Sequence, residues 1–300
     1  SDRNPRNALG LYLYDAFGNL NLIYRDAEIS SQNPIPVRPR PRPPLYSSSL
    51  ALDGPQEGAF LLQDIYEGLG DVERGTVKSL RIVAVPPKWQ PHMNNPNLGV
   101  SREDPGKFVL GTAPVEADGS AYFRAPSGVP VFFQALDAQG RSVQTMRSLT
   151  YVQPGQTLSC IGCHESRDAA PPPRPLVQAA RRAPSRLQPG PDGSWPLRYD
   201  TLVQPVLDKH CVSCHQKGYK DARAAAFDLR PPASYDALLN YADKDLNKLA
   251  FEKDMSHPLQ TPSYRSKLWA MLCAKGGHEG VRLDADSRER FLTWMDTYAQ

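Results

Sequence analysis

Apolar and polar positions alternate in short runs over the first half of the chain, and the spacing lengthens to helical periods in the last third. Leu11-Tyr12-Leu13-Tyr14 and Leu20-Asn21-Leu22-Ile23-Tyr24, joined through Phe17-Gly18-Asn19, predict a short β-hairpin. A lone hairpin is marginal in water, so this one needs a surface to pack on. Residues 34–44 (Pro-Ile-Pro-Val-Arg-Pro-Arg-Pro-Arg-Pro-Pro) then read as stiff polyproline II, a wrapped connector or a docking strip. From about 57 to 158 the pattern is β, with runs at 59–62, 77–85, 108–110, 121–124, 131–136 and 143–146. Ala117-Asp118-Gly119 and Asp137-Ala138-Gln139-Gly140 suit hairpin turns between them, and strands at this spacing predict a small sandwich or barrel. Beyond about 195 the pattern is helical. Pro205 suits the first turn of a helix running into Cys211, and Ser263 is a candidate N-cap for a helix presenting Leu268, Met271 and Leu272 and closed by Gly276-Gly277. Phe291, Met295 and Tyr298 form a core-facing stripe on a third helix over 288–298. The fold class expected is α+β, a β-rich sandwich or barrel-like domain followed by a mainly α domain.

Composition narrows this picture. The 300 residues allow two domains, and 30 prolines are about twice the usual share while 21 glycines are not enough for a low-complexity chain. The formal charge of +3 is far from that of a nucleic-acid binder, and no apolar run approaches the ~20 residues of a membrane span. Neither a nucleic-acid partner nor a membrane span is expected, and the opening Ser1-Asp2-Arg3-Asn4-Pro5-Arg6 is no signal peptide.

Five cysteines are too few and odd in number for a secreted disulfide framework. Four of them repeat one pattern, Cys160-Ile161-Gly162-Cys163-His164 and Cys211-Val212-Ser213-Cys214-His215. Cys-x-x-Cys-His is the attachment signature of haem c: each thiol adds to a porphyrin vinyl group and the histidine ligates iron. Two thiols three apart on one helical turn reach both vinyls, and the next residue delivers its imidazole under the ring. A four-cysteine zinc site does not require a histidine after each pair, and its pairs are usually closer. The Pro154-Gly155 and Pro171-Pro172-Pro173 surroundings of the first motif argue against a thioredoxin-like pair. Two covalently attached haem c groups are therefore expected. Covalent haem c is assembled outside the cytoplasm, which places the protein in the periplasm or extracellular space. The helical outline after the second motif suits a class I-like cytochrome c domain.

With His164 and His215 as proximal ligands, His92, His210, His257 and His278 are left. His278, just after the Gly276-Gly277 stop, is the candidate sixth ligand of the second haem, with Met255 and Met271 as sulfur alternatives and Met271 more suited to the core. For the first haem His92, His257 and an open site compete. His210 is read as a helix-surface residue and Cys273 as a small buried hydrophobe. The boundaries that follow are a lead-in over 1–50, a β-rich domain over 51–168 ending in the first motif, a Pro-rich linker over 169–194, and a cytochrome c domain over 195–300.

The stretch Phe108–Phe123, the segments Phe133-Gln134-Ala135-Leu136-Asp137 and Gln144-Thr145-Met146-Arg147-Ser148, and the run into Cys160–His164 resemble the middle domain of the hydrazine synthase alpha subunit and its relatives. Lys275–Leu283 and Thr293-Trp294-Met295-Asp296 extend the resemblance to the end, and Tyr24–Ser30 with the Pro-Arg strip looks like the exit from a β-propeller. The resemblance implies a propeller or partner domain on the N-terminal side, a middle domain with one haem and a C-terminal domain with a bis-histidine haem. It places Cys160, Cys163 and His164 on the first, and Cys211, Cys214, His215 and His278 on the second. In the family's synthase a tyrosine four positions beyond the first motif histidine ligates the catalytic haem. Here that position is Asp168, which disfavours hydrazine chemistry and favours ligation by His164. The leading expectation is an extracytoplasmic dihaem c-type cytochrome that transfers electrons between redox partner proteins or copies of itself. The alternatives are a dihaem redox enzyme of hydrazine synthase or peroxidase type with an open first haem, and a self-assembling cytochrome module.

Overall fold

The computed structural model describes residues 9–44, 50–88, 95–163, 175–250 and 256–298. They fall in two compact units, divided between Ser48 and Ser49. In the first, β1 (Leu11–Tyr14) pairs antiparallel with β2 (Leu20–Tyr24), with Tyr14 opposite Leu20. The Asp15 carboxylate closes the turn by accepting the N–H groups of Phe17 and Asn19, both at 2.9 Å, while Gly18 takes φ +89°, which favours glycine. The hairpin is present as expected, and Phe17, Leu20, Leu22 and Ile23 on it are exposed. The described part of the proline strip contains no helix or strand, as its missing amide donors require.

Among the described residues the second unit holds two sheets. One has the order β6 (Ala121–Pro126), β3 (Glu57–Leu62), β9 (Thr157–Cys160), antiparallel at the first pairing and parallel at the second. The other is antiparallel throughout, in the order β5 (Phe108–Pro114), β4 (Ser79–Ala84), β7 (Val131–Leu136), β8 (Ser142–Thr145). Phe60 and Phe123 of the first sheet pack edge-on against Phe133 of the second, centroids 5.1 and 5.6 Å apart, over Leu80, Ile82 and Ala135. This is the sandwich the alternation predicts. The strand β9 was not legible, because Thr-Leu-Ser-Cys carries too little apolar content. It is held by its pairing with β3, and Cys160 therefore closes a strand.

The four-stranded sheet is covered on its other face too. Val83, Val109 and Phe132 point away from the sandwich into a second core with Leu202, Val206, Leu207, Leu238, Phe291 and Met295. These come from α1 (Tyr199–Leu202), α2 (Gln204–His210), α4 (Ala233–Ala250, non-helical at Tyr241–Lys244) and α7 (Ala285–Asp296), with the short α3 (Ala222–Ala226) between α2 and α4. Burial on both faces explains why Ser-Leu-Arg-Ile-Val-Ala of β4 is buried nearly throughout. It also buries Arg81, which donates to Gln134 Oε1 at 3.0 Å. Gln134 Nε2 in turn donates to the Asp296 carbonyl at 2.7 Å. The Asp296 carboxylate accepts the N–H of Ser142 on Oδ2 and of Ser263 on Oδ1, each at 2.9 Å. One buried network thus joins β4, β7, β8 and α7.

Three helical details differ from expectation. The cap before Leu268 is Ser266, whose hydroxyl accepts the N–H groups of Leu268 and Trp269; Ser263 lies inside a separate turn, α5 (Pro262–Arg265). The last helix starts at Ala285 because Asp284 caps it on Ser287 N–H, and Tyr298 leaves it with φ +66°. Cys273, just past α6 (Lys267–Leu272), is exposed, because the stripe that buries Leu268 and Trp269 has turned outward by that position. The described part of the second Pro/Arg-rich stretch runs along the sheet edges. Gln188 bridges Thr112, Ser185 bridges Phe123, and Arg182 pairs with Glu116 at 2.7 Å.

Candidate functional site

The second motif continues the last turn of α2. Cys211 N–H donates to Leu207 O at 2.8 Å, Cys214 N–H to Cys211 O at 3.1 Å and His215 N–H to Cys211 O at 3.0 Å. Both thiols and the imidazole are therefore delivered from one helical turn, as the spacing requires. Burial, with the neighbouring Cys214, pushes the Cys211 thiol up to about 11. His215 and His278 face one another, ring centroids 5.8 Å apart and planes within 23°. Phe227 stands edge-on to His215 at 5.6 Å. His278 is held in a tight loop by Gly277, whose φ is +77° and where a Cβ would lie 2.0 Å from Val281 O. His215 Nδ1 is buried with no hydrogen-bond partner. Two thiols three residues apart, a half-buried imidazole whose buried Nδ1 has no partner and a second imidazole nearly parallel to it make a donor set that suits a covalently held haem with two axial nitrogens. His210 lies beside this turn, 3.1 Å from Ser287 Oγ and 3.3 Å from Asp284 Oδ2, and so ties α2 to the start of α7.

The first motif is built differently. Cys160 O accepts the N–H of Gln63, Ile161 O that of Asp64, and Cys163 N–H donates to Glu67 O at 2.9 Å, so the motif wraps on the 63–67 turn. At Gly162 a Cβ would lie 2.4 Å from both Glu67 Cβ and Glu67 O, a close approach that only glycine allows. Next along the chain from Glu67, residues 68–72 line a cleft of about 510 Å³ with Gln144 and Ser256–Leu259, which includes His257. Gln144 Oε1 and Ser256 Oγ are buried there without partners, while Gln144 Nε2 donates to Ser256 O at 3.1 Å. His164, His92, Met255 and Asp168 lie outside the described residues. Met271 packs partly buried on the helical core, as expected of it. Among the described residues no three His, Cys, Asp or Glu side chains converge on a bare-ion site.

Residues 75–165 match the family model of the hydrazine synthase alpha subunit middle domain. The middle of this chain is hydrazine synthase alpha-like. A 68-residue stretch is 38% identical to hydrazine synthase subunit alpha of Kuenenia stuttgartiensis, covering 23% of this chain and 8% of that protein. The solved hydrazine synthase of the same organism superposes with a TM-score of 0.56 at 18% identity, over 83% of this chain and 44% of that one. At that identity the likeness is one of fold, and the chain spans under half the length of these hydrazine synthase relatives. It extends well beyond residues 75–165, into both the sandwich and the helical layer.

Two groups of side chains carry no signal in the sequence. Gln144 and Ser256 meet across 112 positions, and Tyr199, Tyr235 and Trp294 bring their rings together from three separate segments. No spacing rule links positions that far apart.

Proposed function

We propose that this chain is a dihaem c-type cytochrome module, hydrazine synthase alpha-like in its middle domain, that passes single electrons outside the cytoplasm. The observation that carries the reading is the His215–His278 pair over the Cys211–Cys214 turn. Cys160, Cys163 and His164 would hold the first haem, and Cys211, Cys214, His215 and His278 the second, within a mainly α domain of class I-like cytochrome c type. When bound, each haem supplies a reversible one-electron couple. The chain's own part is to fix the ring through two thioethers, to hold both imidazoles of the second site in place through the α2 turn and the Gly277 loop, and to exclude water with Phe227 and the helical core. Such a shell sets potential through axial ligand, burial and dielectric. The partners are redox proteins or other subunits, in keeping with a relative named as a subunit.

The cleft beside the first motif favours a second reading for that site, a dihaem redox enzyme whose first haem keeps an open face toward His257 and Gln144. Low-temperature EPR of the oxidised protein, with CO binding to the reduced form, separates the readings. Two low-spin signals and no CO adduct support electron transfer at both sites; one high-spin signal that disappears on ligand addition supports the enzyme. In the His278→Ala variant the second site turns high-spin. A second site that stays unchanged there sinks the axial assignment.

A further inference from the structure

The helical layer leaves one corner of the four-stranded sheet open. Arg81 and Val83 of β4 are buried, whereas Ser79, two residues before Arg81, is half-buried at the start of the strand. Ser79 pairs with Pro114 and Arg81 with Thr112, so the pleat points the Ser79 and Thr112 side chains to the same face. Thr112 exchanges both backbone bonds with Gln188: its N–H donates to Gln188 O at 2.7 Å, and its own carbonyl accepts the Gln188 N–H at 2.9 Å. This exchange fixes residues 185–188 along the corner. The start of β4, the end of β5 and this segment line a cleft of about 480 Å³.

The charged side chains lining it are Lys78 and Arg186, with no Asp or Glu. Among the described residues neither cation forms an ion pair, and the Ser79 and Thr112 hydroxyls make no hydrogen bond. Ser185 Oγ accepts Arg182 Nη1 at 2.8 Å, which leaves its own proton to give. Glu116, two residues past β5, is neutralised by Arg182 at 2.7 Å. A wall of donors with two unpaired positive charges suits an oxyanion, whose lone pairs accept from all of them. Its charge selects among oxyanions: a phosphate monoester carries about −1.5 to −2 at neutral pH and matches two cations, where a carboxylate matches one. Ala113 and Pro114 add apolar wall, and the volume lies in the range of small-molecule sites, about 300–1,000 Å³. We propose that this cleft binds a small organic phosphate, with Lys78 and Arg186 neutralising the phosphate group and Ser79, Thr112 and Ser185 donating to its oxygens. None of these residues belongs to either cysteine motif, so the inference stands apart from the cofactor reading.

The test is isothermal titration calorimetry of the full-length protein with phenyl phosphate and, separately, with inorganic phosphate at the same ionic strength. Phenyl phosphate should bind saturably at one site per chain, and inorganic phosphate more weakly because it leaves the apolar wall uncovered. Lys78→Met and Arg186→Met each weaken binding about tenfold, and Thr112→Val weakens it less. Arg40→Met removes an exposed cation from the proline strip and leaves the affinity unchanged. Lys78 and Arg186 are exposed, so their removal leaves the melting temperature of the unliganded protein in place. Phenyl phosphate raises that temperature for wild type and raises it less for the two cation variants. Equal affinity for the two phosphates overturns the assignment to an organic phosphate. No saturable binding, or a loss in Arg40→Met as large as in Lys78→Met, overturns the site.

Discussion

Removing the Asp296 carboxylate gives a stability loss that depends on pH in a direction the structure dictates. Its two oxygens accept the buried N–H groups of Ser142 and Ser263. Burial raises this carboxyl from 3.8 to about 6, against the pull of those two bonds and of Arg81. A carboxyl raised in the folded state binds its proton more tightly there than in the unfolded chain. Its contribution is therefore fully present at low pH and is lost as pH rises through 6. The full span is about 3 kcal/mol, and between pH 8 and pH 5 the folded state gains about 1.4 kcal/mol from this group alone. Asp296→Ala orphans two buried donors at about 1–3 kcal/mol each, so at pH 5 it costs about 2–6 kcal/mol. At pH 8 the cost is smaller by the same ~1.4 kcal/mol, because the wild type there bears the burial of the ionised carboxylate. Urea unfolding of both proteins at the two pH values measures this double difference, in which every other titrating group cancels. A cost equal at both pH values, or larger at pH 8, refutes the reasoning.

Gly162→Ala pushes the first motif off Glu67 and strains the Cys163 N–H bond, costing about 1–3 kcal/mol; mass spectrometry should find less haem on Cys160–His164 and full loading of the second motif. Gly111→Ala places a Cβ 2.2 Å from Gln188 O at φ +139°, so urea titration should show a loss of about 1–3 kcal/mol with the second-site spectrum unchanged. His257→Ala leaves the second-site EPR signal as it is; if His257 is the sixth ligand of the first iron the variant gains a high-spin signal, and an unchanged first-site signal removes it from that role. Cys211→Ser with Cys214→Ser should lower covalent haem by one per chain, as measured by mass, and leave the first haem attached.

The sequence by itself determined the local chemistry. Cys211 to His215 needs one helical turn, and the chain forms that turn because Pro205 starts a helix that Cys211 ends. The alternating runs became strands, and the Phe17-Gly18-Asn19 turn closed where expected. All of these are settled within a few residues, where steric limits and side-chain period act directly. What tertiary structure decided was contact between distant segments. Arg81 reads as a solvent-facing strand residue until helices cover the outer face of its sheet and Gln134 and Asp296 receive it. Thr157–Cys160 becomes a strand only through its pairing with β3. Ser266 takes the cap that Ser263 would have taken, because Ser263 N–H is already held by Asp296. His215 and His278 were legible as types, but their parallel approach is a property of how the Gly277 loop folds back toward the α2 turn, and the ring cluster of Tyr199, Tyr235 and Trp294 exists only where three segments close on one core.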